Sequence, residues 1–184
     1  MGKVVGGMTI SLDGFVNDRN GSVGALYPDL GELAQTDMLK EALRMTGAVV
    51  MGRYSYEMAN GDFTGYEYQV PLFVVIHEAP ERVAKGENEN LKFNFVTDGV
   101  ESAFKQAKAA AGDKDVTVVG GANIMQQALK AGLVDELQIG IMPILLGDGL
   151  RLFDHLSSEQ IKLEKIKLIE SAGGRTDIYF RVLK

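Results

Sequence analysis

Cysteine is absent from the 184 residues, which excludes disulfides, thiolate zinc sites and cysteine nucleophiles. Histidine is scarce: His77 and His155 are the only two and lie far apart, so the sequence offers no histidine-based metal site. Positive charge is also in deficit. Nineteen Lys and Arg stand against 25 Asp and Glu, a formal net charge of −6. No basic run occurs, and this balance disfavours nucleic acid or an anionic membrane as partner. No apolar run approaches the roughly 18 residues that span a bilayer. The start, Met1-Gly2-Lys3-Val4-Val5, enters a strand pattern at once and lacks the apolar core of a signal peptide. The expectation is a cytoplasmic protein. Missing too is the G-x-G-x-x-G fingerprint of a Rossmann dinucleotide fold, because the first strand ends Gly6-Gly7-Met8-Thr9-Ile10.

What is present suits one globular domain over residues 1–184, with 46% hydrophobic and 24% charged residues. Strand and helix patterns alternate. Strands are predicted at Lys3–Ile10, Ala48–Met51, Leu72–Ile76, Leu91–Val96, Val116–Val119 and Glu136–Met142. Two further strands, Lys162–Glu170 and Thr176–Leu183, flank Ala172-Gly173-Gly174 and form a terminal antiparallel hairpin. In that last strand Ile178, Phe180 and Val182 face one way, Tyr179, Arg181 and Leu183 the other. Helices are predicted at Asp29–Met45, Tyr54–Ala59, Val100–Ala111 (capped by Asp98) and Asn123–Ala131, the last stopped by Gly132. A polar loop is expected from Asn60 to Tyr68. Residues 11–28 form a long Gly-, Asp- and Asn-rich loop of the kind that often serves as an active-site lid. The methionines Met38, Met45, Met51, Met125 and Met142 fall on apolar faces and are expected in the core. The pattern is α/β: a mixed, mostly parallel sheet with helices on both sides.

Two strand ends carry phosphate-type chemistry. Val116-Thr117-Val118-Val119 runs into Gly120-Gly121 and then a helix. Glycines without Cβ let a ligand approach the backbone, and free N–H groups at a helix start favour an anion. Close strand–helix packing is the other reading of the same glycines. Met51-Gly52-Arg53-Tyr54-Ser55 places a guanidinium and a hydroxyl at a second turn, a combination suited to a phosphomonoester such as the one that distinguishes NADP from NAD. A solvated surface arginine is the alternative. Gly147-Asp148-Gly149 near Arg151 is either an anion cradle or a plain turn, and His155 is expected on a surface turn.

In order along the chain come Ser11-Leu12-Asp13-Gly14, Met51-Gly52-Arg53-Tyr54-Ser55-Tyr56-Glu57 and Val119-Gly120-Gly121-Ala122-Asn123. They are followed by Val134-Asp135-Glu136-Leu137, Pro143, Leu146-Gly147-Asp148-Gly149 and Leu152-Phe153. Together these motifs resemble the dihydrofolate reductase-like fold family, in the branch related to the reductase domain of the bifunctional riboflavin-biosynthesis deaminase/reductase. The resemblance runs over nearly the whole chain. It implies a three-layer α/β/α fold and an NADPH-dependent oxidoreductase, acting on a pterin-like (pteridine) or aminopyrimidine-like heterocycle. A nucleotide-binding protein without turnover is the alternative.

By position the resemblance assigns Gly52, Arg53 and Ser55 to the adenosine 2′-phosphate of NADPH. Gly120, Gly121, Ala122, Asn123 and Ile124 match the turn under the pyrophosphate, and His77 the adenosine end. Ser11 and Gly14 belong to the mobile loop over the nicotinamide. It further implies a cis peptide between Gly120 and Gly121. Two carboxylates are candidates for the catalytic acid. Asp37 falls within one residue of the family's first-helix acid and shares a helical face with Glu41. Asp13 belongs to the Ser-Leu-Asp-Gly turn. As ordinary residues, Asp37 and Glu41 would be exposed helix acids and Asp13 would bond nearby backbone N–H groups. No metal is expected. The apolar Leu145, Leu146, Leu150 and Leu152 around a loop, in what resembles the family's subunit-contact region, imply a homodimer.

Overall fold

A computed structural model describes residues 2–156 and 160–184. It contains eight strands in one sheet of order β4-β3-β2-β5-β1-β6-β8-β7. These are β1 (Val4–Ser11), β2 (Thr46–Gly52), β3 (Leu72–Val75), β4 (Phe93–Val96), β5 (Asp115–Val118), β6 (Glu136–Met142), β7 (Leu163–Glu170) and β8 (Thr176–Val182). β1 to β6 run parallel; at one edge β8 pairs antiparallel with β6, and β7 pairs antiparallel with β8. The mixed α/β sheet with a terminal hairpin is the expected fold, dihydrofolate reductase-like. Glycine fits the hairpin turn because Gly173 and Gly174 both take positive φ (82° and 81°).

Helices cover both faces. On the first lie α4 (Val100–Ala111) and α5 (Ala122–Lys130), whose Ala103, Phe104, Ala107, Met125 and Ala128 pack on Val4, Val50, Val116, Val118, Leu137 and Ile139. Alternation explains the split: the strand residues two apart that enter this core leave their neighbours on the second face. Burying Phe104 fully contributes roughly 1.5–3 kcal/mol. On the second face, α3 (Arg53–Glu57) brings Tyr56 onto Val49, Met51, Leu72 and Val74. The predicted polar loop after α3 instead supplies Phe63, Tyr66 and Tyr68 to this core. Tyr56 stacks on Phe63 at 5.4 Å and meets Phe93 and Phe95 edge-on.

The predicted helix 29–45 is broken in two. α1 spans Leu30–Leu33 and α2 spans Asp37–Met45, because Thr36 sits in extended conformation and its hydroxyl accepts from the Leu39 N–H at 3.2 Å. The expected Asp98 cap is not made. Gly99 is the N-cap of α4 with φ 106°, and no side chain caps that helix.

No residue of α2 is buried, although Met38, Leu39, Ala42 and Met45 share one side. The helix therefore stands off the sheet, and its apolar side forms the wall of a cleft. Met38 and Met45 belong to that wall, not to the core, whereas Met51, Met125 and Met142 are buried as expected. Among the described residues no helix is long and apolar enough to cross a membrane.

Candidate functional site

Parallel strands bring their carboxyl ends to one edge of the sheet, so the turns after β1, β2, β3 and β5 all open there. β2 and β5 are neighbours whose onward connections diverge: β2 leads outward to β3, β5 leads across β1 to β6. Such a switch point leaves a crevice into which ligands of open α/β sheets bind. The helices leaving these strand ends, α3 and α5, lie on opposite faces. Gly52-Arg53 and Gly120-Gly121 thus meet at the mouth of the crevice. The Gly52 N–H donates to the Gly120 carbonyl at 2.9 Å.

Glycine is required here for space. A Cβ on Gly52 would lie 2.8 Å from Ile124 Cγ1, and one on Gly120 would lie 2.8 Å from Ser55 Oγ. Gly120 also has φ 126°, and the Gly120–Gly121 peptide is cis, as the resemblance implied. Gly121 differs: it caps α5 with φ −82°, and a Cβ there would make only ordinary contact with Ser55 Oγ at 3.7 Å. No side chain caps α5, so its first-turn amides have no side-chain partner.

Below this mouth lies a cleft of about 920 Å³ between α2 and the second face of the sheet. Of the expected cofactor residues, Ser55, Gly121 and Ala122 line it. Ile124 is buried against Gly52, Gly52 and Gly120 are buried outside the lining, and Asn123 is exposed, accepting from the Gln127 amide at 2.5 Å. Arg53 is exposed and reaches Glu57 at 3.4 Å. His77 is exposed past the end of β3 and does not line the cleft. Ser11 ends β1 and Gly14 sits in the turn after it, where the Ser11 hydroxyl accepts from the Phe15 N–H at 3.0 Å. The loop beyond them reaches over the cleft, with Asn17, Val23 and Gly24 in its lining and Tyr54 Oη donating to the Gly21 carbonyl at 3.4 Å.

Neither candidate carboxylate faces the cleft. Asp13 accepts from Ser11 Oγ at 2.5 Å, from the Leu146 N–H at 3.1 Å and from the Gly147 N–H at 2.8 Å. These bonds, the Ser11 hydroxyl first, hold its carboxyl down at about 2. Asp13 therefore ties the turn after β1 to the loop after β6 and is a poor proton donor at neutral pH. Asp37 is exposed at the first position of α2, and its neighbour Glu41 pairs with Arg44 at 2.6 Å. Asp37 is not part of the lining, whereas Glu41, one turn further along α2, is. Arg151 donates to the Asp13 carbonyl at 3.1 Å and lies over Phe15, so Gly147-Asp148-Gly149 is a turn held by Asp13.

The floor of the cleft carries polar residues that the sequence patterns did not single out. Thr9 of β1, Gly140 of β6 and Asp177 of β8 are register partners in one row, with Gly7, Gln138, Tyr179 and Lys167 in the next. Arg175, 2% exposed, forks onto Asp29 with Nε–Oδ2 2.7 Å and Nη2–Oδ1 2.9 Å. It also donates to Thr9 Oγ1 at 2.8 Å and the Leu26 carbonyl at 3.2 Å. The guanidinium holds the Asp29 carboxyl below the usual range. One signal for this floor was legible, namely Tyr179 on the opposite side of the last strand from Ile178, Phe180 and Val182. Arg175 had none, since its partner is 146 positions away.

The model of the RibD C-terminal domain matches residues 3–176. This chain belongs to the RibD C-terminal domain family. Its relatives include the Bacillus subtilis (strain 168) protein YyaP, 25% identical over 97% of this chain and 94% of that one. Among solved structures, a protein from Shewanella sp. PV-4 described as a riboflavin biosynthesis protein superposes with TM-score 0.79 at 24% identity, covering 99% of both chains. Dihydrofolate reductase from Enterococcus faecalis, solved with NADP(H), gives TM-score 0.65 at 13% identity over 99% of this chain and 97% of that one. Both structural likenesses are of fold. Within the RibD C-terminal domain family, the Val134-Asp135-Glu136-Leu137 segment has a structural part in this chain: Asp135 accepts from the Val4 N–H at 2.8 Å and from Lys184 at 2.7 Å.

Proposed function

We propose that this protein is an NADPH-dependent reductase delivering hydride to a small heterocycle, pterin-like or aminopyrimidine-like. The observation that carries the reading is the meeting of Gly52-Arg53 and Gly120-Gly121 at the switch point, directly above a cleft that also has a polar floor. The residues present fit the cofactor. Gly121 presents backbone without a side chain, the first-turn amides of α5 are uncapped, and Ser55 lies beside them with Arg53 two residues earlier. Bound NADPH would supply the hydride. The chain's part is to hold pyrophosphate and 2′-phosphate at the mouth, to lay the loop 12–29 over the ring and to exclude water with the apolar side of α2.

Titration with both cofactors tests this. NADPH should bind more tightly than NADH, and Arg53→Ala should erase most of the difference, about 1.5–3 kcal/mol for a charge-assisted contact. Equal affinities in the parent protein would remove the cofactor assignment. Binding without oxidation, across dihydropterins and oxidised pyrimidines, would favour the nucleotide-binding alternative.

The same reading includes assembly as a homodimer. Of the four leucines expected to form the contact, Leu145 (71%) and Leu150 are exposed, Leu146 is half-buried and Leu152 is buried in the core; Leu12 and Phe153 add exposed apolar surface close by in sequence or across the Asp13 tie. Light scattering at micromolar concentration should give twice the chain mass of 19.9 kDa. A mass of one chain would contradict it.

A further inference from the structure

The Asp177 side chain is 7% exposed and lies in the floor of the cleft. Its Oδ2 is the one buried side-chain oxygen or nitrogen among the described residues with no hydrogen-bond partner. A buried polar atom left this way is costly, and natural proteins seldom leave one without a use. The surroundings are built for it. Gly140, in mid-strand opposite Asp177, has no room for a side chain: a Cβ there would lie 2.5 Å from Arg175 Nη1, 2.9 Å from Asp177 Oδ1 and 3.3 Å from Thr9 Oγ1. A strand glycine of this kind marks close approach by other groups.

Charge decides which form of the carboxyl the site holds. The groups around it are Tyr179 on its own strand, Arg175 and Ser171 from the turn before β8, Asp29 and Tyr27 from the loop before α1, Thr9 from β1, and Lys167 from β7. Arg175 is the near cation, and it is already neutralised by the two-pronged pair with Asp29. Lys167 is turned onto the Tyr179 ring, 4.2 Å from its centroid. A second carboxylate beside the Arg175–Asp29 pair adds uncompensated negative charge in a nearly dry place. Burial accordingly pushes the Asp177 carboxyl up from its ordinary value, with Arg175 and a hydrogen bond with the Ser171 side chain opposing the rise and Asp29 adding to it.

We propose that Asp177 is the ligand-recognising acid of the cleft, its carboxyl O–H donating a hydrogen bond to an acceptor atom of the bound heterocycle, a carbonyl oxygen or an unprotonated ring nitrogen. This rests on the reductase reading for the location of the ligand and adds the chemistry that selects it. A protonated amidine, which needs a carboxylate, is disfavoured; a neutral ring bearing a carbonyl is favoured. The Gln138 amide, in the neighbouring row of the same floor, offers a second polar contact.

The test separates donor from acceptor. Asp177→Asn keeps an N–H donor at the same place, and Asp177→Leu removes it. Calorimetric titration with uracil as carbonyl probe and 2,4-diaminopyrimidine as protonatable amidine should show uracil bound by the parent protein. Asp177→Asn should retain it within about threefold, and Asp177→Leu should lose at least about tenfold. Equal loss in both variants, no loss in either, preference for the diamine, or no uracil binding by the parent overturns the proposal. In parallel, ¹³C labelling of aspartate carboxyls, with Asp177→Asn for assignment, reads the group directly. A resonance still in its protonated position after the exposed aspartates have titrated supports the proposal, and one that titrates with them overturns it. NADPH affinity should be unchanged in both variants. Its absence from the parent protein as well would count against the reductase reading alone, because the carboxyl resonance does not depend on it.

Discussion

Arg175→Met is expected to lower the free energy of unfolding by about 3–5 kcal/mol, the cost typical of removing one partner from a buried pair. Met keeps the volume, so the loss is electrostatic: Asp29, 9% exposed, would remain without its two guanidinium bonds, and Thr9 and the Leu26 carbonyl would each lose a donor. Urea denaturation measures it. The double variant Arg175→Met with Asp29→Leu should recover most of the loss, since a well-packed apolar pair often replaces a buried ion pair at little cost. A loss under about 1 kcal/mol in the single variant would mean the pair is far more hydrated than its burial indicates. The pair also fixes where the loop over the cleft ends, so amides of residues 12–29 should exchange faster in Arg175→Met. Acid should reproduce part of the effect. Asp29 is held below its unfolded value, so its contribution is complete above about pH 4 and is lost as pH falls through the lower folded value.

Gly121→Val should abolish NADPH binding while leaving the fold nearly as stable as the parent. The backbone of Gly121 has φ −82° and ψ −175°, open to any residue, and beyond its two chain neighbours its Cβ would meet nothing closer than Ser55 Oγ at 3.7 Å. Its side chain would instead occupy the mouth of the cleft, at the pyrophosphate position proposed above. The two neighbouring glycines should behave in the opposite sense. Gly52→Ala drives a methyl to 2.8 Å from Ile124 and should cost about 1–3 kcal/mol as overpacking. Gly120→Ala meets Ser55 at 2.8 Å with a φ of 126° that L-residues avoid. Thermal unfolding and cofactor titration of the three variants separate the two kinds of glycine. A Gly121→Val protein that binds NADPH normally would take the pyrophosphate away from this turn.

The sheet was legible in the sequence because its strands are short apolar runs punctuated by glycine, and the two phosphate-type turns were legible because glycine at a strand end is a local signal. Local signals also failed in identifiable ways. The stretch from Asp29 to Met45 has helical periodicity throughout, and only the hydroxyl of Thr36 accepting from Leu39 shows where it breaks. Asp98 is a good capping residue by type, yet Gly99 takes the position with a φ that suits glycine. Asn60 to Tyr68 looks polar by composition, and its aromatics become core only because Phe93 and Phe95 of β4 are there to receive them. The floor of the cleft was the least legible part. Arg175 with Asp29, and Asp177 beside Gly140, are defined by partners more than thirty positions away, where no spacing rule reaches.

The placement of the tyrosines makes the molecule its own optical reporter. The chain has six tyrosines and no tryptophan. Five of the six, Tyr27, Tyr54, Tyr66, Tyr68 and Tyr179, line the cleft, and Tyr56 packs directly behind it. Ultraviolet emission from this protein therefore originates almost wholly around one cavity, with no distant indole to dilute it. A reduced nicotinamide absorbs where tyrosine emits, so filling the cleft should quench that emission and sensitise the fluorescence of the ligand. Occupancy can be followed in the unlabelled protein by light alone.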